Sequence, residues 1–189
     1  PEGVTTVGGA AFWECISLTT IKLPDSVTDI GDGAFARSGL TEFTFPKKVT
    51  QINDDTFYAC GDLKSVVIPN TITSIGYTAF EGSGLTEITI PASVTSIDDY
   101  AFASCADLKT VRFLGEAPTI ANKCFDDISL NAWYPPSGTW TESVRGNYGG
   151  TVTWNSYDSF LGSGTCGEQL TWILYDDGVL RITGNGAMY

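Results

Sequence analysis

Apolar residues recur along this chain in fixed registers rather than in blocks. Phenylalanine stands at 12, 35, 57, 80, 102 and 125, with Val7, Ile30, Ile52, Ile75, Ile97 and Ile120 five residues ahead of it. Leu18, Leu40, Leu63, Leu85 and Leu108 keep the same steps of 22 or 23 residues, as do the prolines at 1, 24, 46, 69 and 91. Four registers held in phase over so many intervals identify stacked structural repeats. Each repeat opens on alternating apolar and polar residues, as in Leu85, Ile88 and Ile90 around Glu87 and Thr89, which predicts a half-buried strand. Proline, with no N–H to donate, ends that strand. A second short extended piece follows, such as 94–97. The tight turn after it ("GDGAF", "NDDTF", "DDYAF") reads as one helical or 3₁₀ turn, with Asp32, Asp54 and Asp99 at the N-cap position.

A unit this small cannot bury its own Leu, Ile and Phe side chains, but stacked copies bury them continuously with strands about 4.8 Å apart. The expected fold is a β-rich, right-handed solenoid of parallel strands over residues 1–130, closed by a cap at 131–160 and followed by a partial β-hairpin module at 161–189. In the cap, a strand at 131–134 runs into Pro135-Pro136. Thr139 and Glu142 form a T-x-x-E capping box opening a short helix that ends by Gly149-Gly150, and a strand at 151–154 follows. Trp133, Trp140, Tyr148 and Trp154 are large enough to cover the apolar layer that a last repeat exposes, although the same cluster also has the composition of a sugar-stacking platform. Further on, Leu170–Leu174 and Val179–Thr183 read as a hairpin turned by Asp176-Asp177-Gly178. The chain enters in mid-repeat at Pro1, so it reads as a piece of a longer protein whose first coil offers a free edge to a second copy.

The repeat, "IPxSVTSIGxxAFxxCxxLTEITIP" in its fullest form, resembles the BspA-type (TpLRR class) leucine-rich repeat of bacterial cell-surface proteins. The likeness covers residues 1 to about 125. "AWYPPSGTWTESVRGNYGGTVTW" (132–154) resembles the segment that closes such arrays, and "GTCGEQLTWILYDDGVLRITGNGAMY" (164–189) the start of a further module. The resemblance implies a leucine-rich-repeat solenoid that is secreted, extracellular or displayed on the cell surface, and that serves adhesion or ligand binding without catalytic residues.

Composition narrows the chemistry. With 10 Lys+Arg against 22 Asp+Glu the net charge is −12, which argues against nucleic acid or an anionic membrane as partner. No apolar run is long enough to span a bilayer as a helix, so no membrane insertion is expected. Histidine is absent, which removes Ser-His-Asp and Cys-His catalysis and the commonest metal ligand. Cys15, Cys60 and Cys105 stand in every second repeat, alternating with Ser38-Gly39 and Ser83-Gly84. Two coils separate them by roughly 10 Å, too far for a disulfide or a shared zinc ion, so they read as packing residues. Cys124 occupies an alanine slot and reads the same way. Cys166 lies outside the repeat, and its redox state stays open; five cysteines leave at least one thiol free unless an intermolecular bond forms. The pairs Asp54-Asp55, Asp98-Asp99 and Asp126-Asp127 lack the converging oxygen ligands of a calcium loop and read as caps and solvated turns. No metal or cofactor is expected.

Along the strand face the outward positions alternate. Glu42 and Glu87 sit about 10 Å apart with Ser65 between them, on an open ladder that supplies nothing to desolvate one acid and make a catalytic pair. The candidate ligand-contact residues are Lys22, Glu42, Thr44, Lys64, Val67, Glu87, Thr89, Lys109 and Arg112. The expected function is a non-enzymatic adhesion module that takes a protein or glycan ligand on a host or neighbouring cell. The alternative is a spacer that displays other modules of a larger surface protein.

Overall fold

The alternation that opens each repeat folds into one ladder, and the second extended piece of each repeat folds into another. A computed structural model describes residues 3–157 in full, and 160–165, 170–175 and 180–184 as strands. The first ladder contains β3 (Glu42–Thr44), β5 (Ser65–Val67), β7 (Glu87–Ile90), β9 (Thr110–Phe113), β11 (Ser129–Tyr134) and β12 (Thr151–Ser156). The second contains β1 (Thr6–Val7), β2 (Asp29–Ile30), β4 (Gln51–Ile52), β6 (Ser74–Ile75), β8 (Ser96–Ile97) and β10 (Thr119–Ile120). All pairings within both are parallel, one coil against the next. The chain therefore folds as a parallel β-solenoid.

Between the ladders lies the core. The phenylalanines form a column through it, with successive ring centroids 5.3, 5.6, 5.4, 5.3 and 6.0 Å apart from Phe12 to Phe125. Phe35, Phe57, Phe80, Phe102 and Phe125 are fully buried, and the Leu and Ile registers flank them. Each coil thus buries its apolar set against the coils on either side.

The turns that the sequence assigns to helix are not helical. Around Phe35 the backbone alternates its partners. Ala34, Ala36 and Ser38 donate back three residues to Gly31, Gly33 and Phe35, whereas Gly33, Phe35 and Arg37 donate across to Asp54, Thr56 and Tyr58 of the next coil. A helix keeps its hydrogen bonds to itself; these turns spend half of theirs on stacking. Left-handed backbone at Gly33 (φ 61°) and Arg37 (φ 56°) makes the alternation possible, and it recurs at Asp55 and Ala59 and at Tyr100 and Ser104. Two of the three aspartates placed at N-caps serve the same end. The Asp54 carboxylate accepts from the Tyr77 N–H (2.8 Å), and that of Asp99 from the Lys123 N–H (3.0 Å), each in the following coil.

Beyond Phe125 the first ladder continues, because β11 pairs with β9 and then β12 with β11. The helix expected from the capping box is absent: residues 139–149 form turns. The Thr139 hydroxyl instead donates to Glu116 and accepts the Ala117 N–H, tying this segment to the coil below. Trp140 is buried and donates its indole N–H to the Gly115 carbonyl (2.9 Å), and Trp154 donates to that of Gly146 (2.9 Å). Their rings lie 5.5 Å apart, with Phe113 4.8 Å from Trp140. These two indoles pack inward and close the core. Trp133 stands apart from them, on the outward row of β11, and stacks on Tyr157 at 6.2 Å.

Farther along, β13 (Phe160–Thr165), β14 (Leu170–Tyr175) and β15 (Leu180–Gly184) form an antiparallel sheet. The hairpin read from the sequence is its second half, and β13 is an additional strand. The turn at Asp176-Asp177-Gly178 and Cys166 lie outside the described residues.

Candidate ligand-contact face

The outward side chains of the first ladder fall into two rows. Glu42 stands opposite Ser65, and Glu87 opposite Thr110, Asn131 and Thr153 in turn. Thr44 stands opposite Val67, and Thr89 opposite Arg112, Trp133 and Asn155. Val67 is 57% exposed, a large apolar side chain on a row that otherwise carries Thr44, Thr89 and Arg112 before Trp133. Arg112 donates to the Glu87 carboxylate at 2.7 Å, pairing charges across one rung.

Lysines 64 and 109 are not on these rows. They stand at the corner where the chain enters the strand: Lys64 Nζ meets the Asp107 carboxylate at 3.1 Å, two coils away, and Lys109 Nζ donates to the Ala106 carbonyl at 2.7 Å. Lys22 lies on the extended segment of the first coil, which the sequence predicts as a strand but which pairs with the next coil only where Thr41 N–H reaches the Thr19 carbonyl at 3.1 Å.

The face is an open ladder, as the alternation predicts, but the ladder is not continuous. β3 pairs with β5, and β7 with β9, but β5 and β7 belong to separate sheets. Both interruptions, before β3 and before β7, follow a coil that is one residue short. Leu18 to Leu40 and Leu63 to Leu85 are the 22-residue steps, shortened at Ser38-Gly39 and Ser83-Gly84. There the chain passes so close beneath the preceding corner that a Cβ on Gly39 would lie 2.1 Å from the Ile16 carbonyl oxygen, and one on Gly84 2.1 Å from that of Gly61. Beside each interruption a cleft opens on the face, of about 350 Å³ along Lys22 and Glu42 and about 470 Å³ along Val67 and Glu87.

The short corner also explains the alternation of serine with cysteine. Cys60 Sγ donates to the Phe35 carbonyl (3.0 Å) and touches Ser38 Oγ (3.6 Å); Cys105 Sγ donates to the Phe80 carbonyl (3.0 Å) and touches Ser83 Oγ (3.3 Å). Burial pushes the Cys105 thiol up to about 11, raises that of Cys60, and raises that of Cys124 well above the ordinary range. Cys15, Cys60, Cys105 and Cys124 are free thiols. Two of them thus give a second hydrogen bond to turn carbonyls that already accept the Ser38 and Ser83 N–H groups.

On the turn edge, burial and then the nearby Asp55 and Asp126 raise the Glu81 carboxyl above its usual value. Among the described residues no group of three or more acids and thiols has the geometry to hold a metal ion. Nor does a helix among them have the length and apolarity to cross a membrane.

A family model described as the BspA type leucine rich repeat region, six copies long, matches the chain over residues 1–109 and 29–141. No curated protein matches it. Among solved structures, a leucine rich cell surface protein from Faecalibacterium prausnitzii A2-165 is 29% identical over 71% of this chain and 46% of its own, with a TM-score of 0.59. A leucine-rich repeat protein from Bacteroides ovatus ATCC 8483 is 20% identical over 82% of this chain and 53% of its own, with a TM-score of 0.44. The chain thus spans about half the length of these proteins.

Proposed function

Because the chain belongs to the BspA-type leucine-rich-repeat family, we propose that it is a non-enzymatic binding module working outside the cell or on its surface, and that the outward rows of the first ladder meet the ligand. The observation that carries this reading is the face itself. Glu42, Thr44, Val67, Glu87 and Thr89 stand exposed on a backbone held by hydrogen bonds and by a buried phenylalanine column, so their spacing is fixed before a partner arrives. The partner is a protein or glycan on a host or neighbouring cell. The cap spans 131–160, and a separate module begins after it. Catalysis has no support in this site: Glu87 is paired with Arg112, and the face is open to solvent.

Adhesion of the purified chain to host cells and to arrays of matrix proteins and glycans tests the proposal. Charge reversal at Lys22, Glu42, Lys64, Glu87, Lys109 and Arg112 together should abolish binding with the fold intact. Unchanged adhesion would put the ligand elsewhere, and no binding by the wild-type chain to any surface would leave the spacer role.

A further inference from the structure

The two clefts are the same site built twice. Residues lining the first reappear 45 positions later in the second: Thr20 as Ser65, Asp25 as Asn70, Glu42 as Glu87, Thr44 as Thr89 and Pro46 as Pro91. The apolar wall recurs too, with Leu23 replaced by Ile68. Repetition of the core motif is required by packing, but these outward hydroxyl, carboxylate and Asx positions have no core to fill. Nor are the clefts a by-product that the wall residues ignore. Val66 and Ile68 are only half-buried, whereas their counterparts on the paired strands, Ile88 with Ile90 and Val111 with Phe113, are buried. The interrupted ladder exposes a strip of apolar wall beneath a rim of hydrogen-bonding groups.

Resting on the binding role proposed above, we infer that the two clefts are successive subsites for one neutral glycan chain lying along the solenoid axis, with sugar units seated in them at intervals of two coils, roughly 10 Å. The lining suits the amphipathic ring of a sugar. Its C–H face rests on the wall formed by Ile21 and Leu23 or by Val66 and Ile68, and its hydroxyls meet the Glu and Thr at the rim. Charge argues for a neutral chain. In the first cleft Lys22 stands among Asp25 and Glu42, and in the second Glu87 is paired with Arg112 and Lys64 with Asp107, so neither cleft presents a field of one sign. An extended, proline-rich peptide has a similar repeat, but such ligands dock into aromatic-lined grooves. Phe43 and Phe45 at the first cleft are buried in the core, and the second cleft contains no aromatic residue. Two equivalent weak subsites on a rigid frame give avidity to a polymer and little affinity to its monomer.

The test is isothermal titration of the whole chain with cello-, malto- and manno-oligosaccharides of two and six units, with deca-proline as the peptide arm. One neutral series should bind, and its six-unit member should bind at least tenfold more tightly than its two-unit member. Glu42→Gln with Thr44→Ala, or Glu87→Gln with Thr89→Ala, should each remove that gain while weakening the short ligand by only about twofold, as loss of one of two equal sites requires. Thr44→Arg and Thr89→Arg, which fill the clefts from exposed positions, should do the same, with the thermal melt as a check on folding. Failure of every neutral series to bind, affinity independent of length, or indifference to these variants would each overturn the inference. Binding of deca-proline that the same variants abolish would make the clefts a peptide site, overturning the glycan but sparing the binding role. Cell or matrix adhesion that survives in the cleft variants would likewise refute the clefts alone, whereas a wild-type chain that adheres to nothing would refute both.

Discussion

A single missing residue does much to shape this face. Where the corner is shortened to Ser-Gly, the incoming chain lies against the previous carbonyl, and only hydrogen fits between them. Gly39→Ala and Gly84→Ala should each destabilise the protein by about 3 kcal/mol, since neither a backbone carbonyl nor a tight corner gives way easily. Gly61→Ala, on the longer corner with nothing within 4 Å of the added Cβ, should cost almost nothing in the same urea titration. The thiols beneath these corners give a second prediction. A thiol raised from 9.0 to about 11 by burial, as at Cys105, is neutral in the fold and ionises more readily when unfolded. Its contribution to stability is therefore complete below about pH 9 and is lost as pH rises toward 11. Thermal melts across that window should show a decline that is shallower for Cys105→Ala than for the wild type. Native labelling with a maleimide, mapped by mass spectrometry, should reach half-exposed Cys15 and spare Cys60, Cys105 and Cys124 until unfolding.

At the scale of elements, the period of the phenylalanines was enough to foretell the coils, because a column of rings demands equal steps. Proline foretold the strand ends because it has no N–H to donate to the ladder. The turns depart from their local sequence signal, since Asp before a short apolar run is the usual sign of a helix start. Only the neighbouring coil, supplying acceptors to Gly33, Phe35 and Arg37, makes the non-helical path better. Thr139 and Glu142 misled in the same way: the cap residue bonds to Glu116 in the coil beneath instead of to its own turn. Of the site, the outward residues of β3 to β9 were legible from alternation, but Lys64 and Lys109 were not separable from them, because corner and strand share the same polar pattern. The clefts were missed although both steps of 22 were visible; what distinguishes a short step from a harmless deletion is the backbone contact at Gly39 and Gly84. Matching the outward residues 45 apart, Thr20 with Ser65 and Asp25 with Asn70, was the signal that pointed to them.

At the scale of the whole molecule the two ends of the stack are unequal. At the C-terminal end Trp140 and Trp154 close the core with their indole N–H groups satisfied, and β12 adds a further strand to the ladder. In the first coil Trp13 is 43% and Ile16 76% exposed, and Phe12, Leu18 and Leu23 are only half-buried. Stability in a stack is a sum of coil and interface terms, so a coil with one interface opens before a coil with two. Phe80→Ala should cost about 4 kcal/mol, whereas Phe12→Ala in the same chain should cost well under half of that, because Phe12 is half-buried against the Phe35 ring while Phe80 is fully buried between Phe57 and Phe102. Hydrogen exchange followed by mass spectrometry should show the same gradient without mutation. The amides of Ala10, Phe12 and Glu14, bonded to the second coil alone, should exchange first, and those of Phe57, Phe80 and Phe102 last. Trp140→Ala should reverse the order at the other end by speeding exchange at Phe125 while leaving Phe12 unchanged. A uniform rate along the stack would mean that the coils unfold as one cooperative block, with the column of rings transmitting the cap's stability to the far end.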